Sequence, residues 1–279
     1  MRNLTPLNTD PLDEFDLIVQ SKYDPDNAAL ILLRSDVLSR YNLYKNAFDT
    51  NSLNNLAVKN YHPQAVRVLR NCYSNPTNAL DRLIKNIKDK QPNHLRSVCQ
   101  YCGIDTDNTI DHYLPQSKYP EYSICHLNLF PCCAVCNPLK NDYWYDFDSN
   151  YGGIMNLYLD RWPEKQQFLF ADLTFVGTNL IAEYRLDNPN GINRNTFEVI
   201  QNHFTRIKLL KKYNNKTGNI YERVCNSYSG QSVFRNNPNA IKAHLLQESE
   251  NHFKSFGRNH YEGILKEALA LNEDFLSFF

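Results

Sequence analysis

The spacing of apolar and polar positions predicts helices over most of the first hundred residues. Apolar side chains recur at helical intervals in four stretches. These stretches are residues 28–46, residues 52–58, a helix that starts near Pro63 and a helix that starts near Pro76. The segment KDKQPNH, with Pro92 inside it, breaks the pattern. We therefore place the end of an N-terminal helical region at residue 96.

Residues 97–145 change to turns and closely spaced cysteines, which is typical of a small module supported by metal. Two β-rich runs follow, QFLFADLTF and LIAEYRL, and the VGTN between them predicts a hairpin. Helical spacing then returns with Phe197, Ile200, Phe204 and Ile207, and two more helices are predicted at 238–255 and 259–275. We expect an α+β, mainly helical protein with regions 1–96, 97–145 and 146–279.

The chain has 30 basic and 30 acidic residues and therefore a net charge of zero, so charge can favour a binding partner only through local clusters. No overall attraction therefore draws the chain to nucleic acid or to an anionic membrane. Residues 59–96 carry eight Lys and Arg against two Asp, and residues 206–235 carry seven against one Glu, whereas residues 10–49 are acidic. These basic stretches are either solvated surface or a guide for nucleic acid.

The chain does not open on a charged segment followed by an apolar one, and its longest apolar run is residues 28–33. That run is far shorter than the ~18 residues needed to cross a bilayer. We therefore expect a soluble, cytoplasmic protein that is not exported. In a reducing compartment its eight cysteines are metal ligands or core thiols rather than disulfides.

Two CxxC pairs, Cys99 with Cys102 and Cys133 with Cys136, predict a structural zinc site. The alternative is that these four are buried thiols without metal. Cys132 would break the CxxC spacing, so we leave it out. The isolated cysteines are assigned to core packing, and they are Cys72, Cys125 and Cys225. Thirty residues separate Cys102 from Cys133, more than a bare zinc ribbon needs, so a further element lies between the pairs.

The segment between the pairs contains IDHYLP and LNLFPCC, and AVCNPLKND follows. Read together, these stretches resemble the HNH, or ββα-metal, endonuclease family, whose pattern is DH, then N, then C-x-x-C-N/H-x-x-K. Asp111 and His112, then Asn128, Asn137 and Lys140, match that pattern in order and spacing. The resemblance covers residues 97–142 and implies a zinc-stapled ββα-metal core, flanked by helices and a hairpin.

The resemblance also implies roles, and the chemistry of the side chains suits them. Asp111 and Asn137 offer hard oxygens to a catalytic Mg²⁺ or Mn²⁺, and His112 titrates near neutrality, as a general base should. Asn128 would hold the loop that bears His112, and Lys140 and Lys118 would contact substrate phosphate. Neighbouring side chains in a strand face opposite ways, so Asp111 and His112 share one site only where the strand ends or bulges.

Within the family, DHYLPQSKYPEYSI is similar to the HNH nucleases of bacterial anti-phage systems, particularly the Septu group of PtuB. That similarity implies a PtuA-like ATPase partner and a nucleic-acid substrate, with DNA favoured and RNA an alternative. The competing hypothesis is a non-catalytic zinc module that binds nucleic acid or a protein.

Overall fold

A computed structural model describes residues 2–229 and 231–279. The fold is α+β, with about half of the described residues in α-helices and three small two-stranded sheets. The chain divides into two compact units, residues 3–161 and residues 162–279 together with Arg2. Both predicted boundaries, after residue 96 and after residue 145, fall inside the first unit. Within the described residues, no helix is both long enough and apolar enough to cross a bilayer.

The first unit contains five helices and four strands among its described residues. In chain order they are α1 (Pro11–Gln20), α2 (Asp26–Asp49), α3 (Pro63–Ser74), α4 (Asn78–Asp89), β1 (Thr109–His112), β2 (Leu129–Cys132), α5 (Cys136–Lys140), β3 (Tyr145–Asp146) and β4 (Tyr151–Gly152). The second unit continues with β5 (Leu169–Val176), β6 (Asn179–Leu186), α6 (Arg194–Arg206), α7 (Leu209–Ser229), α8 (Pro238–Phe256), α9 (Tyr261–Leu271) and α10 (Glu273–Leu276).

The predicted helices at 28–46, near Pro63 and near Pro76 are confirmed as α2, α3 and α4. In α4 the side chain of Thr77 accepts a hydrogen bond from Leu80 N, which satisfies one of the free N–H groups at the start of the helix. The helix predicted at 52–58 is wrong, since only a single 3-10 turn forms there, at Leu53–Asn55. Only Leu53 of that turn is buried, so a longer helix would have had little apolar surface to pack.

Helix α1 was not predicted, although its signals are present in the sequence. Asp10 caps it by accepting from Leu12 N, and Pro11 occupies its first turn. Its buried side chains, Phe15, Ile18 and Val19, follow helical spacing on one face. The short length of the helix hid this pattern among the acidic residues.

The N-terminal helices and the cysteine-rich segment share one aromatic core. The fully buried Tyr44 of α2 lies 4.8 Å from Tyr122, ring centre to ring centre. The hydroxyl of Tyr122 in turn donates to the backbone oxygen of Arg40 in α2 at 3.1 Å. The guanidinium of Arg40 pairs with the buried Glu121 at 2.7 Å. Helix α2 is therefore packed directly against the loop that joins β1 and β2.

In the second unit the predicted hairpin is confirmed as β5 and β6, which pair from Leu169 with Leu186 to Val176 with Asn179. Gly177 in the turn has a φ of +59°, a conformation that glycine adopts without strain. The predicted helix at 238–255 is α8, and the one at 259–275 is divided into α9 and α10. Asn272 makes that division, because its side chain caps α10 by accepting from Phe275 N at 2.8 Å.

Candidate functional site

The sulfur atoms of Cys99, Cys102, Cys133 and Cys136 meet in one buried cluster and all lie within 4.8 Å of one another. The sulfurs of Cys102 and Cys133 are 4.0 Å apart. A tetrahedral ion with Zn–S bonds of ~2.3 Å requires sulfur separations of ~3.8 Å. The donor set and its spacing therefore fit a metal such as zinc, as the sequence predicted.

The local backbone of both pairs suits metal binding. Gly103, at a φ of +68°, donates its N–H to the carbonyl of Cys99 at 2.7 Å, which folds the chain back behind the first pair. In the second pair the N–H of Cys136 donates to the sulfur of Cys133 at 3.3 Å. Hydrogen bonds from the neighbouring thiols, that of Cys102 first, hold the pKa of Cys133 far below its ordinary value. The same contacts within the cluster, that of Cys102 first, raise the pKa of Cys99, so the four thiols share their protons until a metal ion binds them as thiolates.

The remaining cysteines stand outside this cluster, as the spacing predicted. Cys132 is buried with its sulfur 3.3 Å from the hydroxyl of Thr109. Burial raises the pKa of Cys72 and the pKa of Cys125 to about 12. These two are consequently inert core thiols under ordinary conditions.

Strands β1 and β2 are antiparallel, and helix α5 begins four residues after β2 ends. The register pairs Asp111 with Phe130 and His112 with Leu129, and β1 ends at His112. Asn128 lies directly before β2, and Asn137 is the second residue of α5. Two strands and a short helix thus carry the residues predicted for the hydrolytic site.

Asp111 is buried, with 4% of its surface exposed, and both of its carboxylate oxygens have partners. The hydroxyl of Tyr101 donates to Oδ2 at 2.8 Å. The ammonium of Lys140 lies 3.1 Å from each of the two oxygens. Lys140 is itself fully buried and also donates to the carbonyl of His112 at 2.7 Å. The ammonium of Lys140 thus lies against Asp111 and not at the surface. Its contact with substrate phosphate, which the resemblance implies, stays a prediction.

His112 is 8% exposed and is the last residue of β1, directly after Asp111. Its Nε2 is 2.8 Å from the carbonyl of Ser123, so Nε2 carries the proton and donates. Its Nδ1 accepts from the side-chain amide of Gln116 at 2.9 Å. The ring of Tyr73 packs edge-on against the imidazole, at 4.5 Å between centres. Burial lowers the pKa of His112 to about 3, well below the near-neutral titration expected from the sequence. The ring is therefore neutral near pH 7, and Nδ1 is unprotonated and accepts from Gln116.

Asn128 is fully buried and fastens the loop that follows β1. Its Oδ1 accepts from Leu114 N at 2.7 Å, and its Nδ2 donates to Leu114 O at 3.0 Å and to Tyr122 O at 3.3 Å. The hydroxyl of Tyr44 adds a contact to Oδ1 at 3.3 Å. These bonds match the role in holding the loop that the resemblance implies for Asn128.

Asn137 and Lys118 occupy more open positions. Nδ2 of Asn137 donates to Ile110 O at 3.1 Å and to the hydroxyl of Thr109 at 3.3 Å, so α5 is attached to β1 beside Asp111. Within the described ranges, no hydrogen bond uses Oδ1 of Asn137, which remains as an acceptor. Lys118 is exposed on the loop after β1, and none of the ion pairs between described residues includes it.

Three contacts of this site were not foreseen from the sequence. The cysteine spacing assigns no role to Tyr101, which lies between Cys99 and Cys102, yet its hydroxyl is a partner of Asp111. Gln116 and Tyr73 surround His112. The sequence signal for Tyr101 was weak, because an aromatic residue within a CxxC pair is ordinarily read as packing.

No protein-family model matches this chain, and no solved structure matches it. It is similar to Protein ea31 of Escherichia phage lambda, with 25% identity over 191 residues. The matched region is 63% of this chain and 62% of the phage protein, so the chain spans less than two thirds of that relative.

Proposed function

We propose that this protein is a metal-dependent HNH endonuclease that hydrolyses phosphodiester bonds in nucleic acid, with DNA favoured and RNA an alternative. One observation carries the proposal. Antiparallel strands β1 and β2 followed by α5 bring Asp111, His112, Asn128 and Asn137 into one small module, beside the four-cysteine cluster. Zinc in that cluster would be structural and would tie the two ends of the module together.

In the proposed reaction the oxygen of a water molecule forms a bond to phosphorus and the P–O3′ bond breaks. The proton of the water passes to Nδ1 of His112, which is unprotonated because Nε2 donates to Ser123. Gln116, now on Nδ1, must give way to that water. The leaving 3′ oxygen takes a proton from solvent water, so the products are a 5′-phosphate and a 3′-hydroxyl. His112 thereby acts as the general base.

The donor types at Asp111 and Asn137 suit a hard divalent cation, Mg²⁺ or Mn²⁺. An ionised carboxylate offers about four acceptor positions, and Tyr101 and Lys140 occupy three, so capacity remains on Asp111. Oδ1 of Asn137 supplies the second oxygen. When bound, the cation would neutralise charge that builds up on the phosphate and on the leaving 3′ oxygen.

We further propose that the protein is the cytoplasmic nuclease subunit of a bacterial anti-phage system and acts with a PtuA-like ATPase. The support is the sequence similarity of the DHYLPQSKYPEYSI segment to Septu nucleases. Protein ea31 comes from a phage, and its name states no activity. Co-expression with an ATPase encoded beside the gene, followed by co-purification, tests the partner.

The cleavage test uses plasmid, single-stranded DNA and total RNA, each with Mg²⁺ and with Mn²⁺. We expect His112→Ala to reduce cleavage by roughly 100-fold or more, the scale of a lost general base. The matched control is His126→Ala, since His126 is also buried, at 1% exposure, and its Nε2 bonds to the carbonyl of Thr9 at 3.1 Å, away from Asp111 and His112 in the bonding of the site. Equal cleavage by the two variants would refute the assignment of His112.

The second candidate is a zinc module that binds nucleic acid or a protein without cutting. The observation that favours it is the depth of the site, because Asp111 and His112 are almost covered and Lys140 already neutralises Asp111. A wild-type protein that holds zinc and binds nucleic acid, but cuts none of the three substrates with either cation, would establish this alternative.

A further inference from the structure

Tyr101 connects the cysteine cluster to the proposed hydrolytic carboxylate. It lies between Cys99 and Cys102, and all three residues have 0% of their surface exposed. The phenol ring packs edge-on against Phe130 of β2, at 6.3 Å between centres. From this position its hydroxyl reaches Oδ2 of Asp111 at 2.8 Å. The ring is held at both ends, by the cysteine pair through the backbone and by Phe130 through packing.

Asp111 needs such a partner, because rotation of a carboxylate about its last torsion angle is only weakly restricted by its own bonds. A hydrogen bond to an ionised oxygen is stronger than one between neutral groups and fixes direction. Tyr101 bonds to one oxygen alone, whereas Lys140 lies equally close to both. The hydroxyl of Tyr101 is therefore the contact that distinguishes the two oxygens.

We propose that Tyr101 is a positioning residue that sets the orientation of Asp111 for a hard divalent cation. This inference rests on the proposed function, since it assigns the cation to Asp111. It makes the first cysteine pair part of the hydrolytic site as well as a structural support. Residues that orient a metal ligand in this way typically change metal affinity by roughly 10- to 100-fold when they are altered.

The test is Tyr101→Phe, which removes the hydroxyl and keeps the ring. Tyr158→Phe is the matched control, because Tyr158 is also buried and its hydroxyl donates to a backbone oxygen, that of Leu129, at 3.0 Å. Zinc content is measured for both, and Mn²⁺ affinity is measured by electron paramagnetic resonance without nucleic acid. We expect both variants to keep zinc and Tyr101→Phe alone to weaken Mn²⁺ binding by roughly 10-fold or more.

A second measurement tests whether the hydroxyl acts through Asp111. In an Asp111→Ala background, Tyr101→Phe should cause no further loss of Mn²⁺ affinity. Equal Mn²⁺ affinity of Tyr101→Phe and Tyr158→Phe, in a protein whose wild type binds Mn²⁺ and cuts, overturns the inference alone. Loss of zinc from Tyr101→Phe also overturns it, because the hydroxyl would then support the cysteine pair. A wild type that neither binds Mn²⁺ nor cuts overturns the proposed function and the inference together.

Discussion

The hydroxyl of Tyr101 and the carboxylate of Asp111 are 2.8 Å apart, in a part of the first unit where both residues are buried. The ammonium of Lys140 completes the group from the other end of the module, since α5 begins at Cys136 of the second cysteine pair and ends at Lys140. Asp111 therefore receives one donor from each side of the cysteine cluster. Asp111 is thus both the buried counter-charge of Lys140 and a proposed ligand of the cation.

Replacing Asp111 should cost more stability than replacing an exposed acid, because it leaves the fully buried Lys140 without its counter-charge. For Asp111→Ala we expect the free energy of unfolding to fall by about 3–5 kcal/mol. Asp16→Ala is the control, since it breaks a surface pair with Arg34 and should cost below about 1 kcal/mol. Urea denaturation measures both. Similar losses would mean that the buried pair is not the source of the effect.

Cys133→Ser should remove zinc and unfold the module, because structural zinc contributes on the order of 10 kcal/mol in finger-like peptides. Cys132→Ser provides the control at the next position. Cys132 is equally buried, but its sulfur contacts Thr109 rather than the cluster. Elemental analysis should find one zinc per chain in the wild type and in Cys132→Ser. Absence of zinc from the wild type would contradict the assignment of the cluster.

The pKa of His112, lowered by burial to about 3, predicts how stability depends on pH. The unfolded chain binds a proton at this side chain below pH ~6.5, whereas the folded protein does not. The stabilising contribution is therefore complete above pH ~6.5 and is lost as the pH falls toward 3, by up to about 1.4 kcal/mol per pH unit.

His112→Gln removes this titration and retains an amide near Ser123. Its free energy of unfolding should consequently depend less steeply on pH between 6.5 and 4 than that of the wild type. The difference between the two proteins is the quantity to compare, because burial lowers the pKa of His126 as well. Parallel curves in denaturation at several pH values would show that His112 is not buried as described.

Asn128→Ala should loosen the loop between β1 and β2, because the backbone groups of Leu114 and Tyr122 would lose their partner. We expect the free energy of unfolding to fall by roughly 2–4 kcal/mol, given the cost of buried groups without hydrogen bonds. Hydrogen exchange at Leu114 N should accelerate. Asn156→Ala, at another buried asparagine of the same unit, should leave that exchange unchanged. An unaltered rate in Asn128→Ala would contradict the role of Asn128.

The lysines after α6 are the candidate contacts for nucleic-acid phosphate outside the module. Lys208 and Lys211 are exposed and, with Arg185, line an open groove of about 390 Å³. None of the ion pairs between described residues includes either lysine. Reversing Lys208, Lys211 and Lys212 to Glu should weaken binding and reduce the slope of log K against log salt by up to about 3. Zinc content should not change.

The control reverses three lysines that already pair with an acid one helical turn away. They are Lys45, Lys85 and Lys254. Fluorescence anisotropy at several salt concentrations compares the two triple variants. If both lose the same affinity and slope, the groove has no special role and the basic stretch is solvated surface.

Several features were predictable from the sequence because short-range spacing encodes them. The two CxxC pairs specify four sulfurs within two short turns, and the rejection of Cys132 followed from the same spacing. Amphipathic spacing predicted α3 and α4, and a turn between two β-rich runs predicted the hairpin of β5 and β6. Each of these depends on residues only a few positions apart.

The tertiary structure alone decided how the predicted site residues are buried and paired. Tyr44 meets Asn128 across 84 positions, and Lys140 meets Asp111 across 29, so no local pattern encodes either contact. Lys140 follows Asn137 by three positions, a spacing that puts both on one helix face, but burial and charge pairing depend on what packs against that face. The residue types and order of the proposed site are thus local properties of the chain. Their protonation, exposure and orientation follow from long-range packing, which removes water and brings distant charges together.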